Sequence, residues 1–130
     1  MIFGTFDLLH PGHMAYIKEA SAFGRVHAVI ATDAMSTIIK GKKPYFNQTE
    51  RQKMVNSIKG VSRAIIGNSK DPYRVIKKEN PSIILLGYDQ TNFVDGLYRF
   101  IKKNNLKIKI LRAKAFKPSK YKTSKIKIYA

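Results

Sequence analysis

The stretch Met1-Ile2-Phe3-Gly4-Thr5-Phe6-Asp7-Leu8-Leu9-His10-Pro11-Gly12-His13 decides how this chain folds. An apolar run, Met1–Phe3, stops at Gly4, which permits a tight turn and a close approach of backbone N–H groups to a ligand. Seven residues on, Pro11 is suited to the first turn of a helix, where its missing N–H costs little. The loop thus opens into a helix N-terminus, whose unpaired N–H groups and positive dipole end favour a phosphate. His10 and His13 stand three residues apart, so a helix beginning at Pro11 projects both imidazoles to one side of that terminus. Such a pair can hydrogen-bond the oxygens of a phosphorus centre as charge builds up in an in-line displacement.

Outward from this loop, apolar runs alternate with segments of helical period. After Met14–Ala22 come Val26–Ala31, Gln48–Ile58, Val61–Ile66, Tyr73–Lys78, Ile83–Leu86, Phe93–Lys103 and Leu106–Leu111. Val26–Ala31 and Ile83–Leu86 are short and continuously apolar, as strands buried on both faces of a parallel sheet are. The pattern predicts an α/β, doubly wound parallel sheet of about five strands with helices on both faces. Gly24, Gly60 and Asn80-Pro81 are breakers placed ahead of the second, third and fourth strands. Met1–Phe3 is short for a central strand, so the reading expects the chain to begin inside that strand or to have a few residues ahead of Met1.

The chain of 130 residues has the length of one domain, and 44% hydrophobic residues supply a core. Lys and Arg number 25 against 8 Asp and Glu, a net charge of +17 that suits polyphosphates, nucleic acid or an anionic surface. The absence of cysteine excludes a disulfide scaffold, a thiol nucleophile and a Cys-ligated zinc. No apolar run approaches the roughly 20 residues of a membrane span, and a soluble, cytoplasmic protein is expected. The tail is unusual: Arg99–Ala130 carries twelve Lys and Arg and no acid. Residues 113–122 read as a basic loop ahead of a short closing helix over 123–130, within a single domain spanning 1–130.

A bare H-x-x-H is commonly a surface pair or half of a metal site. Here zinc lacks a third ligand beyond Asp7 and the distant His27, which reads as part of the second strand. The sequence G-T-F-D-L-L-H-P-G-H resembles instead the signature of the HxGH nucleotidyltransferases, the cytidylyltransferase-like family. That resemblance implies a Rossmann-like domain in which the His pair contacts the nucleotide phosphates while a phosphorylated acceptor attacks the α-phosphorus. It puts His10 and His13 in the catalytic role, and Thr5, Phe6, Pro11 and Gly12 on the nucleotide. Asp7 either orients the loop or faces the acceptor.

Further segments are similar to the family. Ala31-Thr32-Asp33 and Lys40-Gly41-Lys42-Lys43-Pro44 resemble its stretch after the second strand, which implies Asp33, Lys40 and Lys43 on the acceptor and phosphate side and Lys42 as a catalytic cation. Gln48–Met54, with Thr49-Glu50-Arg51, opens a helix in a way similar to the family's E-x-R-x-x-M/L segment, with Glu50 and Arg51 read as mainly structural. In an order 3-2-1-4-5 the carboxyl ends of strands one and four line one crevice. Gly87-Tyr88-Asp89-Gln90, at the end of strand four, resembles the archaeal FAD synthases, which adenylate FMN, more than the glycerol-3-phosphate cytidylyltransferases. By that resemblance Gly87 and Asp89 contact ATP. Thr123 and Ser124 resemble a hydroxyl-bearing helix start that closes over the triphosphate, and Arg112 is placed to reach the phosphates.

The resemblance implies AMP transfer from ATP to FMN, giving FAD and pyrophosphate. It also implies Mg²⁺ or Mn²⁺ held with the nucleotide phosphates rather than by protein ligands, and a homodimer. The alternatives are a cytidylyltransferase acting on CTP with glycerol 3-phosphate or another small phosphorylated acceptor, and a basic nucleic-acid-binding module. For the last, Tyr98, Phe100, Phe116 and Tyr121 interleave with Lys and Arg, but the tail lacks a named RNA-binding signature and the module leaves H-P-G-H unexplained.

Overall fold

The computed structural model describes residues 1–115. The basic loop beyond Ala115, the expected closing helix, Thr123 and Ser124 lie outside the described residues. In chain order the elements are β1 (Ile2–Gly4), α1 (Pro11–Ser21), β2 (Val26–Ile30), α2 (Asp33–Lys40), α3 (Gln48–Asn56), β3 (Val61–Ile66), α4 (Arg74–Glu79), β4 (Ile83–Leu86), α5 (Val94–Lys103) and β5 (Lys109–Arg112).

All strand pairs are parallel. β2 lies between β1 and β3, with Ile2 opposite Ala28 and Ala28 opposite Ala64, while β4 pairs with β5. Two hydrogen bonds join these ladders at Met1: its amino group donates to Ile83 O at 2.8 Å, and Leu85 N donates to Met1 O at 3.0 Å. The spatial order is therefore 3-2-1-4-5, and the order in which strands are added reverses between β1 and β4, the place where an open α/β sheet forms a ligand crevice.

Right-handed crossovers then dictate the layers. Moving from β1 through β2 to β3 puts α1 and α3 on one face, whereas moving from β3 across to β4 and β5 puts α4 and α5 on the other. Two apolar clusters follow. One joins Ile17 and Ala20 of α1, Val55 of α3, and Ile2, Ala28 and Leu85 of the sheet. The other joins Ile76 of α4 and Leu97 of α5 to Ile84 and Leu86. Leu85 faces one cluster and its two neighbours the other, as the period of a strand buried on both sides requires.

The breakers act as read. Asn80 closes α4 in the left-handed region, φ 47°, with its N–H on Ile76 O at 2.9 Å. The element that periodicity does not announce is α2. Thr32 caps it, its Oγ1 accepting Met35 N at 3.1 Å, and Gly41 ends it at φ 77°. Its β-branched run Thr37-Ile38-Ile39 lowers helix propensity, and its only fully buried residue is Ser36, with Ile38 and Ile39 left exposed.

Candidate active site

At the start of α1 the two histidines cap the helix reciprocally. His10 is extended (φ −149°, ψ 171°) and its Nδ1 accepts Gly12 N at 3.0 Å, while His13 Nδ1 accepts His10 N at 3.3 Å. The rings stack with centroids 3.9 Å apart. Because each Nδ1 accepts a backbone N–H, the proton of each neutral ring sits on Nε2. Burial, then the neighbouring His10 and the Lys40 ammonium, push His13 down to about 3. Burial also lowers His10. Around neutral pH the pair is therefore two uncharged N–H donors, fitted to stabilise developing negative charge without transferring a proton.

Phe6 supports this pair from below. It is 2% exposed, sits at φ 52°, and places its ring centroid 5.6 Å from that of His13 and 6.4 Å from that of Tyr16. Tyr16 in turn donates to Leu85 O, which ties the underside of the site to β4. The space beside Gly4 is filled by Phe6: a Cβ there would lie 2.8 Å from Phe6 Cε2. Two expectations change accordingly. Gly4 makes room for a buried ring rather than for a ligand, and Phe6, expected on the nucleotide, keeps its ring in the core and can offer only main-chain groups.

Arg51 organises the opposite wall. It is fully buried, and its guanidinium donates to Thr5 O and Ala31 O at 2.8 Å each from Nη1, to Phe46 O at 2.9 Å from Nε and to Asp33 Oδ1 at 2.7 Å from Nη2. One side chain thus joins the histidine loop, the end of β2, the start of α2 and the 41–47 loop. Asp7 holds the same loop from the other side, Tyr45 N donating to its Oδ2 at 2.6 Å and Phe46 N to its Oδ1 at 2.9 Å. Of the two roles open to Asp7, this geometry is that of orienting a loop. Asp33, read toward the acceptor, spends an oxygen on Arg51. Glu50 forms a capping box with Asn47, in keeping with a structural role.

Lys40 ends α2, and Lys42 and Lys43 are exposed on the following loop. The ammonium that acts on His13 is that of Lys40. Thr5 Oγ1 lies 3.4 Å from the buried Ser36 Oγ, which ties α2 to the histidine loop.

Across the switch point, Gly87–Gln90 follows β4. Gln90 N donates to Gly87 O at 3.1 Å, and Gly87 N donates to Gln90 Oε1 at 3.1 Å. Arg112, at the end of β5, donates from Nη1 to Gly87 O at 2.9 Å and Gln90 O at 2.7 Å. A Cβ on Gly87 would meet only Gln90, at 3.7 Å, so nothing in the chain itself demands glycine there. Asp89 is exposed in this turn.

His27 lies on β2, as read. It lines a cavity of about 320 Å³ with Met1, Phe23, Arg25, Glu79 and Ser82, at the amino ends of the strands and away from the His pair. Among the described residues no group of three His, Asp or Glu could hold a metal ion, and no helix is long and apolar enough to cross a membrane.

The cytidylyltransferase-like family model matches residues 1–128. The chain belongs to the cytidylyltransferase-like family. It is 39% identical to the FAD synthase of Methanobrevibacter smithii, over 89% of this chain and 78% of that protein. It is 37% identical to the FAD synthase of Methanosphaera stadtmanae, over 90% of this chain and 81% of that protein. A crystal structure of the lipopolysaccharide core biosynthesis protein from Thermoplasma volcanium superposes with a TM-score of 0.82 at 34% identity, covering 89% of this chain and 95% of that one.

For a cytidylyltransferase-like chain, the sequence located the histidine loop, the loop after β4 and Asp7, Glu50 and Arg51 as supporting residues, but not which groups they hold. Arg51, read as mainly structural, has that role, and what the sequence did not show is that its guanidinium is buried among four segments.

Proposed function

We propose that this chain transfers AMP from ATP to FMN, producing FAD and pyrophosphate. A phosphate oxygen of FMN attacks the α-phosphorus. The new P–O bond forms as the bond to the bridging αβ-oxygen breaks, and that oxygen leaves with pyrophosphate. The observation that carries the reading is the stacked pair His10 and His13, two neutral Nε2–H donors at a helix N-terminus, beside the end of β4 at the switch point. Donors already fixed by backbone bonds need no reorganisation when charge develops on the phosphorus oxygens. The N-terminal N–H groups of α1 and the Lys40 ammonium add positive potential, with exposed Lys42 and Lys43 beside them. The names of the relatives at 37–39% identity support FMN as acceptor.

A divalent cation, Mg²⁺ or Mn²⁺, supplies charge neutralisation on the triphosphate when bound. In this reading the cation rides on the nucleotide phosphates, with hard oxygen ligands supplied largely by the substrate. The same reading treats 1–130 as one catalytic unit, with the loop over 113–122 and a helix over 123–130 closing on the triphosphate. It also includes a homodimer acting in the cytoplasm, and sedimentation at two protein concentrations tests the assembly.

The function is tested by pyrophosphate release in four reactions that cross ATP and CTP with FMN and glycerol 3-phosphate. Turnover confined to ATP with FMN, with FAD identified chromatographically, is expected. Turnover confined to CTP with glycerol 3-phosphate would overturn the acceptor and nucleotide together while leaving the histidine chemistry.

A further inference from the structure

We infer that Arg112 is a positioning residue for the nucleoside half of the substrate: it holds the Gly87–Gln90 loop in the shape that receives ribose and base. This rests on the nucleotidyl-transfer reading above. The two sides of the crevice differ in chemistry. One carries the neutral His donors, the α1 N-terminus and the lysines from Lys40 to Lys43, all suited to phosphate oxygens. The other presents a carboxylate, Asp89, and the main chain of the turn. A carboxylate repels phosphate and accepts from hydroxyl and amine groups, which are what a nucleoside offers.

That turn is short and lies beyond the end of β4, so its own hydrogen bonds must define it. Gly87 O accepts both Gln90 N, at 3.1 Å, and Arg112 Nη1, at 2.9 Å, while Gln90 O accepts a second bond from the same nitrogen at 2.7 Å. Gln90 spends its side-chain oxygen on Gly87 N at 3.1 Å. Arg112 is itself anchored by the ladder to β4, where it pairs with Leu86, and by Ala113 N donating to Leu86 O at 2.8 Å. The guanidinium thereby fastens both ends of the turn to the sheet.

A geometric detail makes the role separable from direct phosphate contact. Both bonds come from one nitrogen, so an ammonium at that point can make them, whereas a guanidinium reading a phosphate uses its planar fork. Arg112→Met is expected to weaken ATP and AMP alike, by about tenfold, the scale of losing charge-assisted hydrogen bonds. Arg112→Lys should stay within about threefold of wild type. The KM for FMN should not move. Asp89→Ala should show the same equal loss on ATP and AMP.

The experiment measures calorimetric affinities for ATP and AMP, steady-state kinetics, and amide hydrogen exchange across 87–90 in the nucleotide-free protein. Faster exchange at Gly87 and Gln90 in Arg112→Met, with equal loss of ATP and AMP, is the expected result. Loss of ATP with AMP spared would make Arg112 a phosphate ligand and overturn the inference, as would unchanged exchange. If wild-type protein binds neither nucleotide, the transfer reading falls and takes the nucleoside assignment with it; the exchange data then judge only the mechanical clamp.

Discussion

Arg51→Met removes the guanidinium that joins four segments of the site while keeping most of the side-chain volume. Three backbone carbonyls, those of Thr5, Ala31 and Phe46, lose donors that now stand 2.8 to 2.9 Å away, and Asp33 loses a partner at 2.7 Å. Removing one partner of a buried ion pair costs about 3–5 kcal/mol. The Asp33 side chain is 44% exposed and recovers solvation, so the lower end, about 3 kcal/mol, is expected. Against a typical domain stability of about 5–15 kcal/mol the variant still folds. Activity should suffer more than stability predicts, because the 41–47 loop and Thr5 both lose an anchor and misplacement of about 1 Å can cost a hundredfold in rate. Arg51→Lys should fall close to Arg51→Met, since a point charge cannot reach four acceptors in different directions. Urea unfolding and turnover are read on the same preparations, with Asp7→Asn as a second way of loosening the loop without burying a gap. Stability within about 0.5 kcal/mol of wild type and unchanged turnover in Arg51→Met would refute the idea that this arginine assembles the site.

His13→Ala should lower kcat by about 10²–10³, the scale of losing one transition-state donor, while ATP affinity changes by a few-fold at most; equal losses in kcat and affinity would point to ground-state binding instead. The same residue predicts a pH effect on stability. His13 titrates at about 3 in the folded protein and near 6.5 when unfolded, so the unfolded state binds the extra proton between those values. Stability is therefore intact above pH 6.5 and lost on acidification, by about 2 kcal/mol at pH 5, and this part of the slope should vanish in His13→Gln when urea unfolding is repeated at pH 7.5 and pH 5. Gly4→Ala should cost about 1–3 kcal/mol, because its Cβ would press on the Phe6 ring at 2.8 Å, and Phe6→Leu in the same chain should return part of that loss if the clash is the cause.

Legibility followed the range of the interaction. Strands Val26–Ile30, Val61–Ile66 and Ile83–Leu86, the helix start at Pro11 and the stop at Asn80 are written in local composition and punctuation, and each was readable from neighbours in sequence. So was the H-P-G-H loop, because its chemistry depends on residues three apart at one helix end. α2 was not, since its cap and stop surround a β-branched run of low helix propensity, and the residue it buries, Ser36, meets Thr5 of another segment.

By itself, then, the amino-acid order determined the α/β class, the parallel sheet and the pair of histidines at a phosphate-favouring terminus, because periodicity, capping and dipole effects act within a few residues. Tertiary structure alone decided what stands behind them. That Phe6 turns its ring under Gly4 and away from the crevice, that Asp7 spends both oxygens on Tyr45 and Phe46, and that Arg51 is buried among four segments are outcomes of contacts between residues up to 46 apart. A guanidinium can be buried only where enough acceptors converge, and convergence belongs to the folded chain rather than to any stretch of it.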